Sequence, residues 1–291
     1  MVIWSAELRR AVRSGRAVVL LGLYSMFSAL VLLVVGWLTA QVRNVVLQQL
    51  ANADADTTAN ATARINEEMR KGVLGIFTSN DSALVEALAQ VPLEVLIVFK
   101  ITLFFLPAYI ALMGFDQISG EVGPRSIRYL TVRARRSSVL LGKFLTQASL
   151  LLGLVLIIDL AIFVYARIAN PDFGFAAMGL NLLKFWLAAI VYSLAYVALT
   201  TLCSCLFRVP AVSLVFNFIL MFVFWLLSTI GQAPGNTDSS LRFLRYVSPS
   251  HYAGDLLHPG LAQFGTSGAA YAGFAFVFLM AAYGILRARD L

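Results

Sequence analysis

Apolar residues along this chain come in long blocks, not at the alternating or three-to-four spacing of a half-buried surface element. Nearly charge-free runs of about 20 residues, the length a helix needs to cross roughly 30 Å of hydrocarbon, fall at 17–40, 93–115, 139–166, 183–206, 210–231 and 266–286. They predict six transmembrane helices. The first run is too long for the apolar core of a signal peptide and reads as a retained span. Residues 1–16 follow a different pattern. Trp4, Leu8, Ala11, Val12 and Gly15 share helical spacing, while Arg9, Arg10, Arg13 and Arg16 occupy other angles. This predicts an amphipathic interfacial helix with its apolar side in the headgroup layer and its arginines on lipid phosphate; the plainer alternative is a charged flank of the first span.

The segments between the runs are unequal. Residues 42–92 predict a helical outer element, with helical stretches at Arg43–Leu50 and Ala83–Val91 around the polar piece Asn52–Thr62. Residues 116–138 are polar and basic, 207–209 make a short turn closed by Pro210, and 232–265 are rich in Gly, Pro and aromatics. No repeat of 20–50 residues is visible. The organisation is therefore a helix at 1–16 followed by one membrane domain at 17–291.

Composition supports this class. Of 291 residues, 60% are hydrophobic and 13% charged, against roughly 45–50% and 25% in soluble domains. The chain reads as an all-α integral membrane protein. Its net charge of +7 raises the possibility of a nucleic-acid partner, but the location of the charges argues otherwise. Arg9, Arg10, Arg13, Arg16, Arg125, Arg128, Arg133, Arg135, Arg136, Lys143, Arg208, Arg287 and Arg289 lie on one side of the predicted topology, with only Glu7, Asp116, Glu121 and Asp290 as acids. The positive-inside rule then puts both termini in the cytoplasm of a multi-pass inner (plasma) membrane protein. Anionic lipid explains the basic face, and no nucleic acid is needed.

Candidate chemistry is sparse. No GxxxxGK[ST] loop, HExxH or GxSxG occurs, so neither ATP binding of the P-loop kind nor a familiar hydrolase is indicated, and no catalytic residue is assigned. Cys203 and Cys205, two apart on a helix, point about 200° away from each other and read as packing residues. His251 and His258 lack a third ligand, so no metal site is expected. Two charges stand inside predicted spans, Lys100 and Asp159. Both lie toward the outer end, where a snorkelling lysine stem could form an ion pair as a structural tie; the alternative is that each reaches headgroup water separately.

The 116–138 loop is long enough for about two helical turns across the inner surface, joined to the second and third spans, so a push on it would tilt both. Its sequence runs Phe115-Asp116-Gln117-Ile118-Ser119-Gly120-Glu121, then Ser126-Ile127-Arg128-Tyr129-Leu130, then Arg136 and Gly142-Lys143. With the amphipathic first helix, Leu244-Arg245-Tyr246-Val247-Ser248-Pro249 and the ending Arg287-Ala288-Arg289-Asp290-Leu291, it resembles the type-2 ABC transporter permeases (the ABC-2 family). Asp116 and Glu121 match that family's acidic pair, Gly142-Lys143 its Gly-Lys, and Arg136 a basic residue before it. Arg133 stands where the family often has Pro, and Pro124 lies within the loop.

The resemblance implies a cytoplasmic coupling helix that seats in a separate ATPase, with Glu121 and Arg128 facing that partner and Asp116, Arg125 and Arg136 completing the coupling surface. It also implies short outer helices before the last span, two ATPase subunits per complex carrying the ATP and Mg, and a homodimer or a paralogous partner permease. Cargo would be exported along the dimer interface, lined by spans 1, 2 and 5. The low polarity of the spans favours an amphipathic or lipid-like cargo over a small ion. Two other readings stay open: a non-transporting anchor or assembly factor of an envelope complex, and an ion-coupled secondary transporter, for which Asp159 is the sole candidate acid.

Overall fold

The computed structural model describes residues 2–13, 15–50, 88, 91–123, 134–169, 174–232, 243–258 and 260–289. Helix α1 (Val2–Arg13) is followed by α2 (Arg16–Leu50), α3 (Leu93–Gly114), the single turn α4 (Ser119–Val122), α5 (Arg136–Ala169), α6 (Phe175–Leu206), α7 (Pro210–Gln232) and α8 (Leu261–Ala288). Three short 3-10 helices, Leu244–Val247, Pro249–Ala253 and Asp255–Leu257, precede α8. No strand occurs among the described residues. The protein is an all-α membrane protein with short helices before its last span.

Five helical stretches are long and apolar enough to cross a membrane: Val95–Val122, Arg136–Ile168, Phe175–Leu206, Pro210–Gln232 and Leu261–Ala288. These coincide with the second to sixth predicted spans. The first predicted span falls within α2, whose described apolar stretch is Leu21–Leu30. At 1.5 Å per residue the 35 residues of α2 extend about 52 Å, well beyond hydrocarbon thickness. The helical stretch expected at Arg43–Leu50 is thus the end of α2. Most of the predicted outer element, from residue 51 on, lies outside the described residues.

The break between α1 and α2 is at Gly15, whose φ of 71° is left-handed backbone that a side chain would strain. Pro210 begins α7 at a first-turn position where a missing N–H is harmless.

The chain forms two compact units. One comprises Met1–Leu21, Leu103–Ile157 and Phe185–Leu291; the other comprises Gly22–Thr102 and Ile158–Lys184. Within the first, Ile118, Val122, Leu140, Cys205, Ala282 and Leu286 make a closed apolar cluster at one end, packed against Leu202, Tyr283 and Ile285. Both cysteines are buried and free, as their opposed angles require.

Helix α7 buries Ser213, Asn217, Ser228 and Gly231, while Val215, Phe222 and Trp225 are exposed. It is therefore apolar toward its surroundings and polar or small toward the protein, the pattern of helix packing in lipid, where burying apolar surface gives no advantage and close contact with hydrogen bonds does. One of these hydrogen bonds is explicit: Asn217 Nδ2 donates to Thr200 Oγ1 of α6 at 2.8 Å.

Candidate functional site

The densest polar structure in the first unit gathers around α4. After Gly114 the chain turns tightly, with Gln117 N donating to Gly114 O at 3.2 Å and Gly120 N to Asp116 O at 2.9 Å. The freed amides at the start of α4 are satisfied from another helix. Ser204 Oγ on α6 accepts from Ile118 N at 2.9 Å and Ser119 N at 3.0 Å. Ser204 thus does for α4 what an N-cap side chain does for a longer helix. Next to it, Gln117 Nε2 donates to Thr201 Oγ1 at 2.6 Å. Beyond α4, a Cβ on Gly123 would approach the carbonyl oxygen of Arg208 to 3.1 Å. Helix α4 also contacts α7.

Lys143, near the start of α5, binds this turn to α1. Its Nζ lies 2.8 Å from Glu121 Oε1 and 3.4 Å from Glu7 Oε1, with side-chain exposures of 6%, 16% and 20% for Lys143, Glu121 and Glu7. A lysine this buried requires an anion, and the two carboxylates provide it from two different elements. Trp4 strengthens the α1 attachment: its indole Nε1 donates to Ser149 Oγ at 3.1 Å, and its carbonyl accepts from Thr146 Oγ1 at 3.3 Å. Gln147, one residue on, donates from Nε2 to Ile110 O of α3 at 3.1 Å. Only a glycine at 114 allows that approach, because a Cβ there would run into the Gln147 amide.

Arg136 has a separate task. Its Nη1 donates to the carbonyls of Leu286, Arg287 and Arg289 at 3.0, 2.7 and 3.2 Å. A cation on the last carbonyls of α8 satisfies them and opposes the negative end of the helix dipole. Arg289 in turn donates to the carbonyl of Leu206.

These contacts revise several readings of the sequence. Glu121, expected on the partner-facing side, has Oε1 on Lys143 of α5, with its side chain 16% exposed. Arg136 is engaged with the end of α8 and not presented as a free coupling group. Asp116 is half-buried. Arg125 and Arg128 lie outside the described residues. In α1, Arg9 and Arg13 are exposed, and the side chain of Arg10 lies outside the described ones. Trp4, expected in the headgroup layer, is half-buried with its indole on α5.

The expected tie between Lys100 and Asp159 shows no contact at its acidic end: among the described residues no hydrogen bond or ion pair reaches Asp159. Asp159 is 4% exposed, and its Oδ2 has no hydrogen-bond partner. Span order places both residues on neighbouring helices in the outer part of the bilayer, and helix rotation decides whether they meet. Among the described residues no group of three His, Cys, Asp or Glu is placed to hold a metal.

Sequence reasoning missed Ser204, Thr201 and Asn217. The signal for Asn217 was present in α7, where Ser213, Asn217, Ser228 and Gly231 fall within about 60° of one another at 100° per residue.

No curated protein matches the chain. The family described as ABC-2 family transporter protein matches residues 1–290, and so includes α1, the α4 turn, every span and the short helices before α8. A match over nearly the whole length shows that this chain belongs to the ABC-2 transporter family, as a membrane permease of an ABC transporter.

Proposed function

We propose that the protein is the permease of an ATP-driven exporter in which two copies, or one copy and a paralogue, each engage a separate ATPase at the α1/α4 end. That end is cytoplasmic in this reading, in an inner (plasma) membrane, because the basic residues collect there. ATP and Mg belong to the ATPase chains. Cargo moves along the dimer interface, lined by α2, α3 and α7.

The observation that supports coupling most strongly is the fixation of α4. It is joined to α3 by a tight turn, to α5 through Glu121 and Lys143, to α6 through Ser204, and it touches α7. A load applied to the following segment, 124–133, would reach these helices together. Arg125 and Arg128 belong to that segment and are the groups to present to the ATPase, while Glu121 and Arg136 tie α4 and α5 to the rest of the first unit.

The test is purification of the tagged full-length chain from its native membrane. Mass spectrometry of the copurifying protein should find a P-loop ATPase in one-to-one ratio, light scattering should give two of each, and the chain alone should hydrolyse no ATP. A purified chain with no ATPase, or one that hydrolyses ATP unaided, would overturn the reading.

A further inference from the structure

At the other end of the first unit, a series of rings passes from the short helices down the last two spans. Tyr246 meets His251 edge-on at 5.2 Å between centroids, and His251 meets Tyr252 at 5.1 Å. Tyr252 lies 6.2 Å from Phe274 of α8, Phe274 6.1 Å from Phe278, and Phe278 6.1 Å from Phe224 of α7. All six rings are at least partly exposed.

The upper end of this rail is cationic. Arg245 sits with its guanidinium carbon 4.7 Å over the Tyr246 ring, and its Nη2 donates to the Tyr246 hydroxyl. Its Nε is buried without an acceptor, which leaves the Nη groups as the donors a ligand can reach, and no ion pair among the described residues involves it. His251 adds no second positive charge at neutral pH, because burial and the nearby Arg245 lower its pKa more than Asp255 raises it.

The arrangement is fixed in register with the spans. Tyr271 Oη of α8 donates to Pro249 O at 2.7 Å, and Tyr196 of α6 meets Ser250 at 3.4 Å. A Cβ on Gly231 at the end of α7 would come within 2.8 Å of the Arg245 backbone. Arg245 is thus held close to the start of the membrane-spanning part of α8, and Phe278, seven residues beyond Tyr271, lies about 10 Å deeper.

We propose that this face, from Arg245 down to Phe278 and Phe224, binds an anionic phospholipid of the surrounding leaflet. The headgroup phosphate pairs with the Arg245 guanidinium, and one acyl chain lies along the rings of Tyr252, Phe274, Phe278 and Phe224. Charge complementarity selects this occupant. An arginine without a carboxylate partner at the edge of hydrocarbon needs an anion, a guanidinium fork fits phosphate oxygens, and the rings below it accept only an apolar chain. The proposal goes beyond ATPase coupling and does not depend on it.

The test uses full-length protein reconstituted in an equimolar mixture of phosphatidylglycerol and phosphatidylcholine, re-extracted in mild detergent, with retained lipid counted by native mass spectrometry. Wild type should retain phosphatidylglycerol over phosphatidylcholine by about tenfold, the scale of one charge-assisted hydrogen bond. Arg245→Gln should lower the preference several-fold, Arg245→Lys should keep part of it, and Phe278→Ala should lower total retention while leaving the preference. Thr229→Val, an exposed change on α7 away from these rings, should match wild type. Elution profiles check that each variant is folded. Equal retention of both lipids by wild type, or an unchanged preference in folded Arg245→Gln, would overturn the proposal. So would a second copy of the chain covering these rings in place of lipid.

Discussion

Replacing Lys143 by Met removes the cation that joins α1 to α4. Methionine has nearly the same length and fits the largely buried stem, so packing is kept and charge is the variable. At an effective dielectric constant of about 20, the Coulomb attraction of one cation to anions at 2.8 and 3.4 Å is about 6 and 5 kcal/mol before desolvation. Desolvation cancels much of this, and breaking a buried pair by removing one partner costs about 3–5 kcal/mol because an uncompensated charge is left behind. Exposures of 16% and 20% at Glu121 and Glu7 let the stranded carboxylates recover some hydration, so the lower figure, about 3 kcal/mol, is expected. With about 2–4 °C per kcal/mol for a chain of this size class, the midpoint of thermal unfolding in detergent should fall by about 6–12 °C. Adding Glu121→Gln and Glu7→Gln to Lys143→Met should recover most of the loss, since the penalty lies in the stranded charges. A Lys143→Met midpoint within about 1 °C of wild type, or simple addition of the losses from the three substitutions, would refute the clasp.

Gly114→Ala should displace the Gln147 amide from Ile110 O and lower stability by about 1–3 kcal/mol, and Gln147→Ala in the same chain should relieve part of this; denaturant midpoints of the three variants check it. Tyr271→Phe strips the donor from the buried Pro249 carbonyl, which should cost about 1–3 kcal/mol and speed amide hydrogen exchange across 249–257 by the corresponding factor. His251, with a pKa held below its usual 6.5 by burial and Arg245, is favoured in its neutral form on folding. Its contribution is fully present above pH 6.5 and is lost as pH falls through the depressed folded value. Thermal midpoints should therefore fall on acidification below pH 6.5 in wild type and fall less in His251→Gln.

The spans were legible because hydrocarbon imposes a length and forbids charge: the run at 210–231 became Pro210–Gln232, and the one at 266–286 became Leu261–Ala288, longer at both ends. Gly15 was legible only as part of the amphipathic stretch, although it proved to be the break. Helix rotation was not legible. Uniformly apolar helices carry little angular signal, so the facing partners of Glu121 and Arg136 could not be read. Ser204 was hidden for a different reason. Its role is to cap a turn that lies more than 80 residues away in sequence, and no local pattern marks such a residue.

Coupling through the segment that follows α4 is tested most directly by site-directed cross-linking in the assembled complex. Ser126→Cys lies in that segment and Ser239→Cys between α7 and the short helices, and the native Cys203 and Cys205 are buried. With a short bifunctional thiol-to-amine reagent, Ser126→Cys should form a product with the ATPase, and nucleotide should change its yield, while Ser239→Cys should form none. An ATPase product from Ser239→Cys with none from Ser126→Cys would contradict the account.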